Sequence, residues 1–173
     1  HLQNVMLNAH NLTMSDTFMN CSSLSNISIK TDQSILIQYT TFQNCYSLNK
    51  VEIISSSKIT VCENAFYFKK RLKNVIFECN SINIQNKSFI NCSSINSFRL
   101  KSNNEIIIPE NAFVQCQSFL TFSVISLSSL TISQKFGKNS LNKLCLSGKS
   151  VTIADGCFSE CSKLTDVCFT KSG

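Results

Sequence analysis

Phenylalanine recurs along this 173-residue chain at an almost constant interval. Seven of the 13 phenylalanines, Phe18, Phe42, Phe66, Phe89, Phe113, Phe136 and Phe158, follow one another at intervals of 22 to 24 residues. A fixed period of this length is the sequence signature of a stacked repeat protein, and it is too short for a unit of two helices. The chain is therefore expected to fold as a row of similar coils in which each coil contacts its neighbours.

A second motif, an apolar L-x-x-L-x-L pattern, occurs once in each repeat. Its copies begin at Leu2, Leu24, Leu48, Leu72, Ile95, Phe119, Leu141 and Leu164. The last two apolar positions flank one outward position, as in a β-strand with one buried face. Because a single strand of this kind cannot bury its apolar face alone, neighbouring copies are expected to stack about 4.8 Å apart as a parallel sheet.

The rest of each repeat carries a shorter apolar pair, followed by the phenylalanine. Ile59-x-Val61 and Ile82-x-Ile84 predict a short strand on the opposite wall, and Glu63–Phe66 predicts a helical or 3-10 turn with Phe66 pointing inward. We therefore predict an α/β repeat solenoid with about 23–24 residues per coil, a parallel sheet on the concave face, and short strands and helical or 3-10 turns elsewhere.

The predicted core contains the recurrent phenylalanine and one strand position of each coil. Its members are Phe18, Phe42, Phe66, Phe89, Phe113, Phe158, Val51, Val75, Phe98, Phe122, Leu144 and Val167. Residues 1–173 are interpreted as a single domain of about seven to eight coils. Solenoids need polar end caps for solubility, and none is visible, so we expect this domain to be a segment of a longer protein.

The repeat resembles the BspA-like leucine-rich repeats of bacterial and protist surface proteins, whose unit is similar to I-x-I-P, then A-F-x-x-C and L-x-x-I-x-I. The segments that carry the resemblance are 106–116, 61–66 and 153–161. Lys69 and Asn139 stand where the unit has Cys. The resemblance implies a leucine-rich repeat fold and a cell-surface or secreted protein that attaches to host proteins or to other cells. It implies no catalytic residues.

The chain contains 10 cysteines, which allow two interpretations. One is a disulfide framework in an exported protein. The other is a column of buried reduced thiols, which the constant place of Cys21, Cys45, Cys92, Cys116 and Cys161 in the repeat favours. Cys145 and Cys168 fill the outward position of two consecutive L-x-x-L-C-L strands, so we expect them to be reduced lateral neighbours on the open side of the sheet.

The outward positions of the middle strands would form one continuous binding surface. The candidate residues are Asn49, Lys50, Glu52, Lys73, Asn74, Ile76, Asn96, Ser97, Arg99, Leu120, Thr121 and Ser123. Arg99 and the apolar pair Ile76 and Leu120 are the preferred anchors, because arginine and buried apolar side chains contribute most at interfaces. The chain is expected to be part of a cell-surface adhesion protein, and its expected partner is a protein with an acidic or mixed surface. The alternative is an intracellular scaffold or adaptor built from the same repeats.

Other function classes have little support in the sequence. The two histidines, His1 and His10, and the scattered acids offer no catalytic or zinc-ligand constellation, so neither an enzyme nor a cofactor or metal site is predicted. The net charge of +6 is spread along the chain, which argues against nucleic-acid binding. No apolar stretch is long enough for a membrane helix, so this segment is not expected to insert directly into a membrane.

Five Asn-x-Ser/Thr sequons are candidate glycosylation sites if the chain is exported. They begin at Asn11, Asn20, Asn26, Asn86 and Asn91. Asn26 occupies an outward position of a predicted sheet strand, so a glycan there would cover that end of the face and move binding towards the middle repeats. Because Asn, Ser and Thr are abundant in this chain, sequons arise easily by chance, and they do not distinguish a surface protein from a cytoplasmic one.

Overall fold

A computed structural model describes residues 2–10, 12 and 14–170, and it shows a solenoid of parallel strands. The long sheet contains β1 (Asn4–Ala9), β2 (Asn26–Thr31), β4 (Lys50–Val61), β5 (Asn74–Ile84), β6 (Ser97–Ser102), β8 (Thr121–Ser126), β10 (Lys143–Ser147) and β12 (Asp166–Thr170). The opposite wall contains β3 (Ile35–Ile37), β7 (Ile106–Ile108), β9 (Ser129–Ile132) and β11 (Ser150–Ile153), together with the second halves of β4 and β5. All strand pairs are parallel, which confirms the predicted solenoid and its sheet.

The start of each long-sheet strand after β1 is held to the preceding coil by one carbonyl that accepts two N–H groups. The Asn49 carbonyl accepts from the backbone N–H groups of Lys73 and Asn74 at 2.8 and 3.1 Å. The Lys73 carbonyl accepts in the same way from Asn96 and Ser97 at 3.0 and 3.1 Å. The contact recurs between successive coils, so it fixes the register of the sheet without using any side chain.

The recurrent phenylalanines form a continuous column of rings inside the solenoid. Successive ring centroids from Phe18 to Phe158 lie 4.9 to 6.3 Å apart, and their planes are within 21° of parallel. Phe136 belongs to this column and is buried, although its repeat is shorter than the others. Each ring is therefore covered by the ring of the next coil, as expected for a core that grows by stacking.

Most of the predicted core is confirmed, and one member is wrong. Val51, Val75, Phe98 and Phe122 are fully buried. Val167, in contrast, is 47% exposed, because β12 pairs with β10 on one side and no further strand of the described chain covers its other side. Phe158 is only half-buried for the same reason, although it packs against the core.

The helical turns predicted before each phenylalanine are absent from the described residues, apart from one 3-10 turn at Thr40–Phe42. The α/β description is therefore wrong, and the fold is a β-solenoid with hydrogen-bonded turns. The reason is that every second backbone N–H of the turn bonds to the next coil, while the N–H groups between them bond three residues back within the turn. The Phe66 N–H donates to the Ser88 carbonyl at 2.8 Å, and the Phe68 N–H donates to the Ile90 carbonyl at 3.0 Å. Because alternate donors are used between coils, a continuous i to i−4 ladder cannot form.

In five of the coils, the residue two places after the recurrent phenylalanine adopts a left-handed backbone. Asn20, Asn44 and Asn91 have φ values of 65°, 60° and 61°, and Gln115 has 62°. Asparagine tolerates this region better than most residues with a Cβ atom, which explains its recurrence before the cysteine. The left-handed residue also interrupts any helix, so the turn stays short.

We expect Asn91→Ala to lower the free energy of unfolding by about 1 kcal/mol, because alanine adopts the left-handed region less readily than asparagine. Urea unfolding of the two proteins measures the difference. Asn91→Gly is the matched control and should lose less, since glycine has no Cβ atom to be strained. Equal losses in the two variants would contradict the backbone explanation.

No helix among the described residues has the length and apolar character needed to cross a membrane.

Candidate functional site

The outward side chains of the long sheet form rows that run across its strands. One row contains Asn4, Asn26, Lys50, Asn74, Ser97, Thr121, Lys143 and Asp166, and the next contains Met6, Ser28, Glu52, Ile76, Arg99, Ser123, Cys145 and Cys168. We call these two rows the open face. Because neighbouring strands are parallel and in register, the members of a row are lateral neighbours and present one continuous surface.

The structure places the predicted binding residues in two groups. Eight of them lie on the open face: Lys50, Glu52, Asn74, Ile76, Ser97, Arg99, Thr121 and Ser123. The other four, Asn49, Lys73, Asn96 and Leu120, precede their strands and lie along the edge where the strands begin. Each of the four edge residues comes directly before a residue of the open face.

Opposite charges alternate across the open face. Lys50 Nζ lies 3.0 Å from Glu52 Oε2, and the Ser28 hydroxyl donates to the same oxygen at 3.4 Å. Lys143 Nζ lies 2.9 Å from Asp166 Oδ2, and this hydrogen bond raises the pKa of Lys143. The surface is therefore mixed in charge, and most of its charges are already paired within the sheet.

Arg99 is the most available cation in the middle of this face. Its Nη2 lies 3.9 Å from Glu78 Oε1, a long contact, and its side chain is 55% exposed. Ile76 lies beside it in the same row, half-buried. A depression of about 270 Å³ adjoins Arg99 and is lined further by Ser123, Ile125 and Lys143. An exposed guanidinium, an apolar side chain and a shallow depression together suit a protein partner with a mixed surface.

The sequence analysis missed a third outward row, which lies towards the carboxyl ends of the strands. It contains Asn8, Lys30, Ile54, Glu78, Lys101 and Ile125, and residues of its first five strands line a depression of about 450 Å³. At the rim, His10 Nδ1 lies 3.0 Å from Asp32 Oδ2, and this hydrogen bond lowers the pKa of Asp32. Extending the strand alternation by one residue past the L-x-x-L-x-L motif would have identified the row.

The recurrent cysteines are free and line the interior. Cys45, Cys92, Cys116 and Cys161 are buried, and Cys21 is half-buried. The thiols of Cys45 and Cys92 donate to the backbone carbonyls of Phe18 and Phe66, each at 2.9 Å. The thiol therefore satisfies a carbonyl of the preceding coil, which gives the residue a structural reason to recur.

Cys145 and Cys168 are directly opposite each other on β10 and β12, as the predicted register requires. Both are free and half-buried. Burial and the neighbouring thiol of Cys168 raise the pKa of Cys145. No group of three or more His, Cys, Asp or Glu side chains in the described ranges could hold a metal ion.

The candidate glycosylation sites differ in how available their amide nitrogens are. Asn26 is exposed on β2, but its Nδ2 donates to Asn4 Oδ1 at 2.7 Å. Asn20 is exposed, and its Oδ1 accepts from Asn44 Nδ2 at 2.7 Å. Asn86 is exposed and Asn91 is half-buried, whereas Asn11 lies outside the described residues. Asn20, Asn26 and Asn86 are therefore the exposed acceptors of this set, and the amide nitrogen of Asn26 is already bonded to Asn4.

Ser88, the hydroxyl residue of the Asn86 sequon, is buried, and its Oγ has no hydrogen-bond partner in the described structure. Ala65 and Ala112 occupy the same position in the flanking coils, directly before the recurrent phenylalanine. The packing at this position therefore accepts alanine, and it leaves a serine hydroxyl unsatisfied.

Comparison with known proteins agrees with this geometry. The family described as "BspA type Leucine rich repeat region" matches residues 3–120 and 106–172, with 6 copies of its repeat. No curated protein and no solved structure gives a significant match. Leucine-rich repeat solenoids generally bind other proteins through extended surfaces. The chain belongs to the BspA-type leucine-rich repeat family.

Proposed function

We propose that this domain is a non-enzymatic protein-binding module that uses the open face of the long sheet. The observation that carries the proposal is the combination of Arg99, exposed and loosely paired, with Ile76 in the same row. The edge residues Lys73 and Leu120 extend this surface, since both are exposed. The alternating charges favour a partner whose own surface is mixed or acidic, because complementary potentials select partners and speed association.

We further propose that the domain belongs to a cell-surface or secreted adhesion protein that contacts proteins of a host or of neighbouring cells. Membership in the BspA-type repeat family supports this assignment, because repeats of this type occur in surface proteins of bacteria and protists. Exposed Asn86, in a sequon, offers an acceptor for a glycan if the protein passes through a secretory pathway. Labelling of intact cells with a membrane-impermeant reagent, followed by recovery of this protein, tests the location.

The second candidate is an intracellular scaffold or adaptor. The observation that favours it is the state of the cysteines, all 10 of which are free in the structure. Thiols persist in the reducing cytosol, whereas exported proteins with many cysteines usually form disulfides. The two candidates can be separated by counting reactive thiols in protein from its natural source after it is unfolded without a reductant. A scaffold should give 10 thiols, and a disulfide-bonded protein should give fewer.

We expect the double substitution Ile76→Ser and Arg99→Gln to weaken attachment of the fluorescent domain to intact cells by about tenfold or more, as removal of central anchors does at other interfaces. Attachment should be saturable, and it should disappear when the cells are treated with protease beforehand, because the partner is a protein. The matched control is Ile107→Ser with Lys149→Gln, which changes exposed residues away from the open face. Equal attachment of all three proteins would contradict a role for this face.

A further inference from the structure

Three exposed aromatic side chains form a contiguous cluster on the turns that connect the opposite wall to the long sheet. The ring centroids of Tyr39 and Tyr67 are 6.4 Å apart, and those of Tyr67 and Phe68 are 5.8 Å apart. All three rings are more than 40% exposed. Lys70 Nζ lies 4.3 Å from the centre of the Phe68 ring. We call these four residues the aromatic patch.

Phe68 occupies a position that is unfavourable for it in two respects. It has a φ of 58° at the turn position where other coils carry Asn20, Asn44 and Asn91. A bulky residue is strained in this left-handed region. Its ring is also 46% exposed, so burial does not compensate for the strain. A residue that is strained and exposed at once indicates a role other than stabilising the fold.

The next residue, Lys69, departs from the repeat as well, and it supports the same patch. It stands in the cysteine column between Cys45 and Cys92 and is only 6% exposed. Its Nζ donates to the Tyr67 carbonyl at 3.0 Å, which ties the turn that carries both aromatic residues. A strained residue, Phe68, and a buried lysine, Lys69, therefore stand at consecutive positions of the turn that carries the patch.

The charges around the patch indicate the nature of its occupant. Lys70 and Arg71 are both exposed, and neither has a carboxylate within 4.0 Å in the described part of the chain. The nearby carboxylate of Glu63 is paired with Lys87 at 3.6 Å. Lys70 against the Phe68 ring, followed in the chain by the exposed Arg71, complements a segment that carries both acidic and aromatic side chains.

The arrangement does not continue along the solenoid as a nucleic-acid groove would. The equivalent turn positions of the next two coils carry Asn91 and Gln115 instead of an aromatic residue. Single-stranded nucleic acid binds along a positively charged groove that stacks successive bases. A patch confined to neighbouring coils suits a short peptide segment better.

We propose that the aromatic patch, with Arg71, is a second binding site, separate from the open face, that takes an acidic segment of a partner protein containing aromatic side chains. The rings contact the aromatic side chains of the segment, and Lys70 and Arg71 pair with its carboxylates. Phe68 is the central contact, and Lys69 positions the turn without touching the partner.

The test measures binding of a fluorescent glutamate–tyrosine copolymer to the folded domain by anisotropy at low salt. We expect saturable binding that weakens about tenfold on Phe68→Asn and to a similar extent on Lys70→Gln with Arg71→Gln. Phe68→Asn installs the residue that other coils use, so its urea midpoint should rise while its affinity falls. That opposite movement distinguishes a binding role from a structural one.

The controls separate this site from the open face and from other occupants. Ile107→Asn with Lys149→Gln should leave copolymer binding unchanged, and so should the open-face double substitution Ile76→Ser and Arg99→Gln. Unchanged affinity on Phe68→Asn would overturn the proposal. Three other results would overturn it as well. They are tighter binding of oligo-dT than of the copolymer, binding of polyglutamate that equals copolymer binding and does not depend on Phe68, and dimerisation through the patch in sedimentation.

Discussion

Replacing Phe89 with alanine is expected to lower the free energy of unfolding by about 3–5 kcal/mol. Phe89 is fully buried, and its ring stacks on those of Phe66 and Phe113 at 4.9 and 5.0 Å. It also meets the edge of Phe98 at 5.7 Å. The substitution opens a cavity in the middle of the ring column, and neighbouring coils cannot fill it without breaking the register that their backbone hydrogen bonds fix.

Urea unfolding at neutral pH under reducing conditions measures this loss. Phe169→Ala is the matched control, because the same atoms are removed from a ring that is 58% exposed on the last described strand. Its loss should stay below about 1 kcal/mol, as for most exposed positions. If the two substitutions destabilised the protein equally, the ring column would not be the core of the solenoid.

The parts of the fold that could be predicted from the sequence are those that every coil repeats. An apolar position that returns every 22 to 24 residues must stack on its equivalent, so the burial of Phe42 and the lateral pairing of Cys145 with Cys168 followed from spacing alone. The open face followed in the same way, since each strand has one buried side. Its use in binding remains a prediction, because exposure does not identify a partner.

The turns could not be predicted, because their conformation depends on hydrogen bonds between coils. Glu63–Phe66 carries residues compatible with a helical turn, yet the Phe66 N–H bonds to the Ser88 carbonyl of the next coil. The asparagine before three of the recurrent cysteines was the available signal, since Asn tolerates the left-handed backbone that ends such a turn. Phe68 breaks that pattern, and only its φ and its exposure show that the replacement is both strained and open to solvent.

Four buried thiols, three in the cysteine column and Cys79 on β5, are expected to cause a second large effect, a loss of stability at alkaline pH. Burial raises the pKa of Cys45 to about 11 and the pKa of Cys79 and Cys92 to about 12, and it raises the pKa of Cys116 further. In the unfolded chain these thiols ionise near pH 9. Above that pH the unfolded state therefore binds fewer protons than the folded state, so the free energy of unfolding falls as pH rises.

Each of these four thiols should remove about 1.4 kcal/mol per pH unit between pH 9 and its folded pKa. Together they should remove about 5–6 kcal/mol by pH 10, which is comparable with the whole stability of a typical domain. Lys69 has the opposite effect on the free energy of unfolding. Burial lowers the pKa of its ammonium group, so between that lowered pKa and pH 10.5 the unfolded state binds a proton that the folded state has lost, and stability rises with pH. One lysine offsets one thiol at most, so the net result is cooperative alkaline unfolding.

Urea midpoints measured from pH 7 to pH 10.5 under anaerobic, reducing conditions test this expectation. Stability should be fully present below pH 9 and should fall steeply above it. Cys92→Ala removes one titrating group, so it should reduce the slope above pH 9 by about 1.4 kcal/mol per pH unit. Val61→Ala, a buried change without a titrating group, should lower stability at every pH and leave the slope unchanged. A midpoint that stays constant up to pH 10 would mean that the cysteine column is not shielded from water, and the stacking of coils that buries it would be wrong as well.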